Sequence, residues 1–226
     1  MSENVLELKN VKKTFTEYRQ ELAVLRNINF SMSAGQNVCV CGDSGSGKTT
    51  LVNIIGLLER PSGGSVLWQS RDVTMLSQSE VGKSRAKMFG YIFQHYNLIP
   101  ELNVIENVLF PLRINGNVAH EDIMFAHELL EHVQMSSMHN RFVDHLSGGE
   151  KQRVAAVRAM INHPRVIIAD EPTGSLDENT GMCVMDAILN MCKYNNSTLL
   201  LITHNSKFVE RMDIAYQLRN GELHKN

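Results

Sequence analysis

The sequence is poor in the features that mark secreted, zinc-binding or membrane-spanning chains. Its four cysteines lack the paired short spacings of a zinc site. No stretch approaches the roughly 18 uninterrupted apolar residues of a transmembrane helix, and the N-terminal MSENVLELKNVKK lacks the apolar core of a secretory signal. We therefore expect a cytoplasmic chain. Cys39 and Cys41 are expected as buried thiols in a strand, and no cysteine is assigned a function.

The chain also lacks an excess of either charge. Its 22 Lys and Arg residues and 24 Asp and Glu residues give a net charge of −2. This balance excludes a chain-wide attraction to nucleic acid or to an anionic membrane, so nucleic acid is not an expected partner. At 226 residues, the chain is long enough for one core with an inserted subdomain, but not for tandem copies of such a domain.

Short apolar runs of strand length alternate with helical patterns. The runs NVCVC from Asn37, RVIIA from Arg165 and TLLLIT from Thr198 are typical of parallel strands that are covered on both faces. Near the C-terminus, Asn220 and Gly221 lie between two short runs and predict a two-residue hairpin. The predicted fold class is α/β.

The middle of the chain has a different pattern, because strand-like runs disappear between about Tyr96 and His163. Apolar residues recur there at helical spacing, at Ile123, Ala126, Leu129, Leu130 and Val133. We predict a single domain over 1–226, in which 1–94 and 164–226 form the core and 95–163 form an inserted helical subdomain.

A phosphate-binding loop follows the first apolar run. The stretch GDSGSGKTT matches the pattern G-x-x-x-x-G-K-[ST], with a predicted strand before it and a helix after it. Backbone N–H groups of such a loop and the N-terminus of the helix bind phosphates. Lys48 can reach the β- and γ-phosphates, and the Thr49 hydroxyl is placed to ligate Mg²⁺. The predicted nucleotide-binding residues are Gly42, Asp43, Ser44, Gly45, Ser46, Gly47, Lys48, Thr49 and Thr50.

Ionisable residues follow the other two apolar runs. The second run ends in Asp170 and Glu171, at the carboxyl end of a strand, where open α/β sheets bind ligands. Since adjacent strand residues point to opposite sides, we expect Asp170 to face a metal and Glu171 to face a water in line with the γ-phosphate. The third run is followed by His204, for which we predict a γ-phosphate contact.

The stretch LSGGE, residues 146–150, is a second candidate phosphate site. Ser147 and Glu150 predict a capping box at the start of a helix. A capping box does not explain Gly148 and Gly149, because glycine weakens a helix. Glycines beside a helix N-terminus also let an anion approach the N–H groups, so the stretch predicts phosphate binding as well.

The order of these motifs resembles the ATP-binding subunits of ABC transporters across essentially the whole chain. The resemblance implies a P-loop NTPase core with a mainly parallel sheet, an antiparallel β subdomain and an inserted helical subdomain. LSGGE matches the family's signature motif, with Glu150 in place of the commoner glutamine. In this family, the signature of one subunit closes over the ATP held by the phosphate loop of its twin, which would place Ser147, Gly148, Gly149 and Glu150 on nucleotide.

The resemblance also implies roles for residues outside these motifs. Gln94 matches a glutamine that contacts Mg²⁺ and senses the membrane partner. Ser175, Leu176 and Asp177 match the D-loop at the dimer interface, although an N-cap at Ser175 or Asp177 would give the same sequence. The implied catalytic residues are Lys48, Gln94, Glu171 and His204, and the implied Mg²⁺ ligands are Thr49, Gln94 and Asp170.

The family places one aromatic residue so that it stacks on adenine. Phe15 lies at that place, and a role as an ordinary core phenylalanine is an equal alternative. Tyr18 is a weaker candidate for the adenine contact. The chain contains no N-K-x-D tetrapeptide that would read guanine, which favours ATP over GTP.

Three stretches resemble one branch of the family, which includes the lipoprotein-releasing and macrolide-exporting ATPases. These stretches are VLRNINF, GLLERPSGG and DEPTGSLD. The implied protein hydrolyses ATP with Mg²⁺, forms an ATP-dependent homodimer and drives a separate integral membrane permease subunit with a large extracytoplasmic domain. It would act at the cytoplasmic side of the inner membrane.

Two alternatives have different functions. A chromosome-maintenance or DNA-repair ATPase shares an LSGGEK-like signature, but it needs a very long coiled coil where only about a hundred residues separate the two phosphate motifs. A non-catalytic, nucleotide-gated scaffold is the other alternative, and the complete set of catalytic groups argues against it.

Overall fold

The computed structural model describes residues 4–17, 20–116 and 118–225. The chain forms two compact units, a first unit of Met1–Met88 and Thr198–Asn226 and a second unit of Phe89–Ser197. The predicted borders of the helical subdomain, at residues 95 and 163, differ from these unit borders and stay a prediction. Within the described ranges, no helix combines the length and the apolar character that crossing a bilayer requires.

Ten strands, seven α-helices and two 3₁₀ helices, at Ser136–Met138 and Val143–His145, are present in the described residues. The strands are β1 (Asn4–Glu17), β2 (Gln20–Ser33), β3 (Asn37–Cys41), β4 (Gly63–Trp68), β5 (Arg71–Asp72), β6 (Phe89–Phe93), β7 (Val166–Asp170), β8 (Thr198–Ile202), β9 (Ile214–Arg219) and β10 (Glu222–Lys225). The helices are α1 (Lys48–Ile55), α2 (Gln78–Met88), α3 (Val104–Asn115), α4 (His120–His132), α5 (Gly148–Met160), α6 (Glu178–Tyr194) and α7 (Ser206–Val209).

The first unit contains an antiparallel sheet and a group of mainly parallel strands. The antiparallel sheet has the strand order β2-β1-β4-β5, which confirms the predicted antiparallel subdomain. β3 pairs in parallel with β8 and with β9, and β9 pairs antiparallel with β10. The apolar run of β8 is buried throughout, as expected for a strand covered on both faces. Cys39 is buried as predicted, whereas Cys41 ends β3 and is only partly buried.

The C-terminal hairpin has the predicted turn. Asn220 and Gly221 connect β9 to β10 with φ angles of 53° and 76°. Both angles are in the left-handed region that a type I′ turn requires and that asparagine and glycine tolerate best.

The second unit pairs two parallel strands, β6 and β7, in a register that sets Phe93 beside Asp170. The segment 96–163, in which only residue 117 is not described, contains the α-helices α3, α4 and α5, the two 3₁₀ helices, and no strand beyond an isolated bridge between Asn103 and Phe142. Ala126, Leu129 and Leu130 form the buried face of α4. The predicted helical character of this segment is therefore confirmed.

Candidate functional site

The phosphate loop, residues 42–47, joins the buried strand β3 to helix α1. Gly45 and Gly47 have φ angles of 78° and 102°, which glycine adopts without steric cost. At Gly42, a Cβ atom would lie 2.5 Å from the carbonyl oxygen of Leu218 and 2.7 Å from Ser46 Oγ. The loop therefore needs glycine at all three positions to turn as tightly as it does.

The N-terminus of α1 is arranged to receive an anion. Gly47 is the N-cap residue and makes no side-chain hydrogen bond, so no N-cap side chain covers the first-turn N–H groups, which also lack partners within the helix. Lys48 Nζ donates to the carbonyl oxygens of Gly42 at 2.7 Å and Asp43 at 2.8 Å, which holds its ammonium group over the loop. Thr49 is exposed on the same turn. A cation beside a cluster of N–H groups suits a polyphosphate.

A cavity of about 560 Å³ adjoins the phosphate loop within the first unit. It is lined by residues 43–46 of the loop, by the start of β2 at Leu22, Ala23, Val24 and Arg26, and by the turn at 218–221. The β2 residues were missed in the sequence, because their pattern is that of an ordinary strand.

Phe15 lies on β1 directly opposite Leu22, which lines this cavity. Residues directly opposite in an antiparallel pair project from the same face of the sheet. The Phe15 ring is partly exposed, and Lys13 Nζ lies 4.8 Å from its centroid. The ring is thus not in the core, and its contact with adenine stays a prediction. Tyr18 lies outside the described residues.

His204 follows β8 at the same edge of the sheet as the phosphate loop. Val40 of β3 pairs in parallel with Ile202 of β8, so the loops after the two strands begin side by side. His204 is exposed in a turn where the backbone N–H of Asn205 donates to Thr203 Oγ1 at 3.1 Å. This position is compatible with the predicted γ-phosphate contact, which remains a prediction.

In the second unit, the ends of β6 and β7 bring Gln94 beside the acidic pair. Gln94 and Glu171 directly follow the paired residues Phe93 and Asp170. The Gln94 side chain packs against Gly174, where a Cβ atom would lie 2.9 Å from Gln94 Nε2. No local sequence pattern marks Gly174, because the requirement for glycine arises only from this contact.

Glu171 departs from the expected strand geometry. β7 ends at Asp170, and Glu171 has a φ angle of 46°, in the left-handed region. The predicted alternation of the two carboxylates along one strand is therefore wrong for Glu171, because the chain leaves the extended conformation there. A non-glycine residue in this region costs about 1–3 kcal/mol, and such strain is concentrated at functional sites.

The signature stretch begins α5 with the predicted capping box. The Ser147 N–H donates to Glu150 Oε2 at 2.7 Å, and the Glu150 N–H donates to Ser147 Oγ at 3.3 Å. The Ser147 hydroxyl also donates to Glu150 Oε2, at 2.8 Å. Hydrogen bonds from the backbone and the hydroxyl of Ser147, with Arg153 and Arg141 nearby, lower the pKa of Glu150 below its ordinary value.

The two signature glycines also have a packing reason that the sequence does not reveal. A Cβ atom on Gly148 would lie 2.9 Å from the Tyr96 hydroxyl and 3.1 Å from Leu176 Cδ2. A Cβ atom on Gly149 would lie 2.5 Å from Thr180 Cγ2 in the first turn of α6. Both glycines therefore permit close contacts inside the chain, whatever they contact in a second copy.

Replacing Glu150 tests the energetic value of the capping box. Glu150→Ala is expected to lower the free energy of unfolding by about 1 kcal/mol at neutral pH, measured by chemical denaturation, with the exposed Glu131→Ala as control. Because the folded-state pKa is depressed, this stabilisation is present above the ordinary pKa and is lost as the pH falls through the folded value. An equal destabilisation by the two variants would contradict the prediction.

The D-loop residues precede α6. Asp177 is the N-cap residue of α6, because its Oδ1 accepts a hydrogen bond from the Thr180 N–H at 3.1 Å. Of the two N-cap alternatives, Asp177 thus takes the role, and the hydrogen bonds from Thr180 lower the pKa of its carboxyl group. The Ser175 hydroxyl is 3.1 Å from the Tyr96 hydroxyl. Placement of Ser175, Leu176 and Asp177 at a dimer interface stays a prediction.

Comparison with known proteins decides among the classes of nucleotide-binding protein that a phosphate loop allows. The sequence profile of the ABC transporter family matches residues 25–174, which is more than half of the chain. The chain belongs to the ABC transporter family. It is 36% identical over 223 residues to the lipoprotein-releasing system ATP-binding protein LolD of Hydrogenovibrio crunogenus, covering 99% of this chain and 97% of that protein. The LolD of Oleidesulfovibrio alaskensis is 38% identical, with 96% and 94% covered.

Solved structures of ABC cassettes have the same fold. The dimeric structure of MJ0796, a bacterial ABC transporter cassette, is 35% identical, with a TM-score of 0.86 and 96% of each chain covered. A dimeric post-hydrolysis state of MJ0796, bound to ADP and phosphate, has a TM-score of 0.87 at 34% identity, with 98% of this chain and 97% of that chain covered. The predicted family, P-loop NTPase fold, ATP binding and ATPase activity are therefore confirmed, and the chromosome-maintenance and scaffold alternatives are not favoured.

Proposed function

We propose that this ABC ATPase is the energy-supplying subunit of a lipoprotein-releasing transporter. In this role, it forms an ATP-dependent homodimer bound to an integral membrane permease subunit with a large extracytoplasmic domain, at the cytoplasmic side of the inner membrane. The observation that carries the proposal is the end-to-end similarity to proteins named as ATP-binding subunits of lipoprotein-releasing systems. Export of a peptide, protein or macrolide is the second possibility that the branch allows.

The phosphate loop and Lys48 bind the polyphosphate of ATP. The N–H groups of the loop and of the first turn of α1 bind phosphate oxygens, while Lys48 Nζ exchanges the carbonyl oxygens of Gly42 and Asp43 for the β- and γ-phosphates. Adenine stacks on the face of the Phe15 ring that Lys13 does not cover.

Mg²⁺ fits the oxygen donors that the chain supplies. Thr49 would contribute its exposed hydroxyl, and Gln94 and Asp170, at the neighbouring ends of β6 and β7, would contribute an amide and a carboxylate oxygen. Mg²⁺ prefers such oxygen ligands together with the phosphates of the substrate. When bound, the ion neutralises charge on the phosphate oxygens.

Hydrolysis depends on two further residues. Glu171 orients the attacking water and accepts its proton, while His204 contacts the γ-phosphate. The strained backbone of Glu171 supports this role, because strain is retained where geometry serves function. Reopening of the dimer after hydrolysis completes the cycle.

The signature stretch of the second copy completes each ATP site. The γ-phosphate bound by one chain faces four residues of its twin, Ser147, Gly148, Gly149 and Glu150. Residues 175–177 lie at the dimer interface. In the single chain, the Ser147 hydroxyl donates its proton to Glu150. Binding phosphate redirects that proton, whereas the hydrogen bond from the Glu150 N–H to Ser147 Oγ is retained.

Co-purification tests the proposed partner. A tagged Glu171→Gln variant, purified in mild detergent with Mg²⁺ and ATP from the cells that produce the protein, should retain a polytopic membrane protein with a large extracytoplasmic domain, identified by mass spectrometry. A tagged Lys48→Met variant, which loses the phosphate-binding ammonium group, should retain less of it. Only soluble companions, or none, would contradict the transporter assignment.

A further inference from the structure

Tyr96 lies where three functional segments of the second unit meet. Its hydroxyl is 3.1 Å from Ser175 Oγ in the D-loop, and the same Ser175 hydroxyl contacts the carbonyl oxygen of Gln94 at 3.4 Å. On another side, the Tyr96 hydroxyl approaches Gly148, the first residue of α5, where a Cβ atom would come within 2.9 Å. The Tyr96 hydroxyl thus lies close to both the D-loop and the start of α5, which are separate motifs in the sequence.

The backbone around Tyr96 is held by side chains of α5. Tyr96 and Asn97 have φ angles of 56° and 49°, in the left-handed region that asparagine tolerates and that strains tyrosine. The Arg158 guanidinium donates to the carbonyl oxygens of both residues, at 2.7 Å for Tyr96. Gln152, which is fully buried, donates from Nε2 to the Phe93 carbonyl oxygen at 3.1 Å. Helix α5 therefore fixes the segment 93–97 at both of its ends.

We propose that Tyr96 is a positioning residue that couples the Gln94 segment, residues 93–97, to α5 and the D-loop. The inference rests on the proposed function, in which Gln94 senses the membrane partner and the other two segments form the dimer interface. Tyr96 touches neither nucleotide nor metal in this assignment. It acts through the hydrogen bond to Ser175, which sets the D-loop relative to the start of α5.

The hydroxyl, rather than the ring, carries the coupling. A phenylalanine keeps the ring, whose Cζ would lie 3.9 Å from a Cβ atom on Gly148, but it removes the hydroxyl and leaves Ser175 its long contact to Gln94. Removing one hydrogen bond between neutral groups changes an equilibrium by about 2- to 10-fold. The affected equilibrium is closure of the dimer, because the proposed function places the D-loop and the start of α5 at the dimer interface.

A double-mutant cycle tests the inference in the Glu171→Gln background, where ATP-dependent dimers accumulate. Tyr96→Phe and Ser175→Ala are each expected to raise the ATP concentration for half-maximal dimerisation by about 2- to 10-fold, measured by light scattering. The double variant should be no worse than the singles, because both remove the same bond. Binding of a fluorescent ATP analogue at protein concentrations too low for dimers should not change.

Tyr194→Phe is the matched control, because the Tyr194 hydroxyl donates to Glu128 in the same unit but away from the Gln94 segment. It should leave dimerisation unchanged. Additive effects of the two substitutions, or a Tyr96→Phe variant that dimerises like its parent, would overturn the inference. The proposed function fails differently, since the Glu171→Gln parent itself would then not dimerise with ATP.

Discussion

Glu171→Gln is expected to reduce the rate of ATP hydrolysis by about 100-fold or more while ATP binding is preserved. Glutamine keeps the size of the side chain but replaces one acceptor oxygen by an NH₂ group and cannot take up the proton, and a positioned general base contributes about 10²- to 10⁴-fold to a rate. Because the phosphate loop is unchanged, ATP should hold the variant in its closed, dimeric form. Phosphate release and size-exclusion chromatography with ATP measure the two effects.

Glu101→Gln provides the control for this experiment. Glu101 is an exposed glutamate of the same unit and lies outside every motif of the site. The Glu101→Gln variant should hydrolyse ATP at the rate of the unmodified chain. Hydrolysis by Glu171→Gln within a few-fold of that rate would show that another group activates the water.

Lys48→Met is expected to weaken ATP binding by about 10- to 150-fold. This range corresponds to the loss of hydrogen bonds from a charged donor, which contribute about 1.5–3 kcal/mol. Methionine retains most of the aliphatic stem but cannot donate to phosphate or to the carbonyl oxygens of Gly42 and Asp43. Calorimetric titration with ATP measures the dissociation constant. Lys83→Met, on the exposed surface of α2, removes the same charge elsewhere and should bind ATP normally.

An unchanged dissociation constant for Lys48→Met would mean that backbone N–H groups alone account for phosphate affinity. Thermal unfolding should accompany the titration, because Lys48 also holds the loop together through its two carbonyl contacts. A variant with a normal unfolding temperature and weak binding separates loss of the charge from loss of the loop.

Local patterns allowed several parts of the fold to be predicted from the sequence. The buried strand at Thr198–Ile202 follows from an apolar run too long to face water, and the turn at Asn220 and Gly221 follows from backbone preference. The helix that starts after Ser147 follows from its capping residues. In each case, the physical cause lies within a few neighbouring residues.

Contacts between distant segments could not be predicted in this way. The need for glycine at Gly148 comes from Tyr96 and Leu176, which no local pattern links to it. The left-handed backbone of Glu171 ended the strand one residue earlier than the apolar run and the acidic pair suggested. The residues of β2 that line the cavity beside the phosphate loop have no pattern of their own. These features depend on tertiary packing, which overrides local preference.

Mixing two inactive variants tests most directly whether two copies build each ATP site. Lys48→Met lacks the phosphate-binding ammonium group, and Ser147→Asp retains a good N-cap while placing negative charge toward the γ-phosphate. Each variant alone should release phosphate slowly. An equimolar mixture should recover about a quarter of the rate of the unmodified chain, since random pairing gives heterodimers with one intact site. A mixture no faster than its separate components would contradict a site shared between two chains.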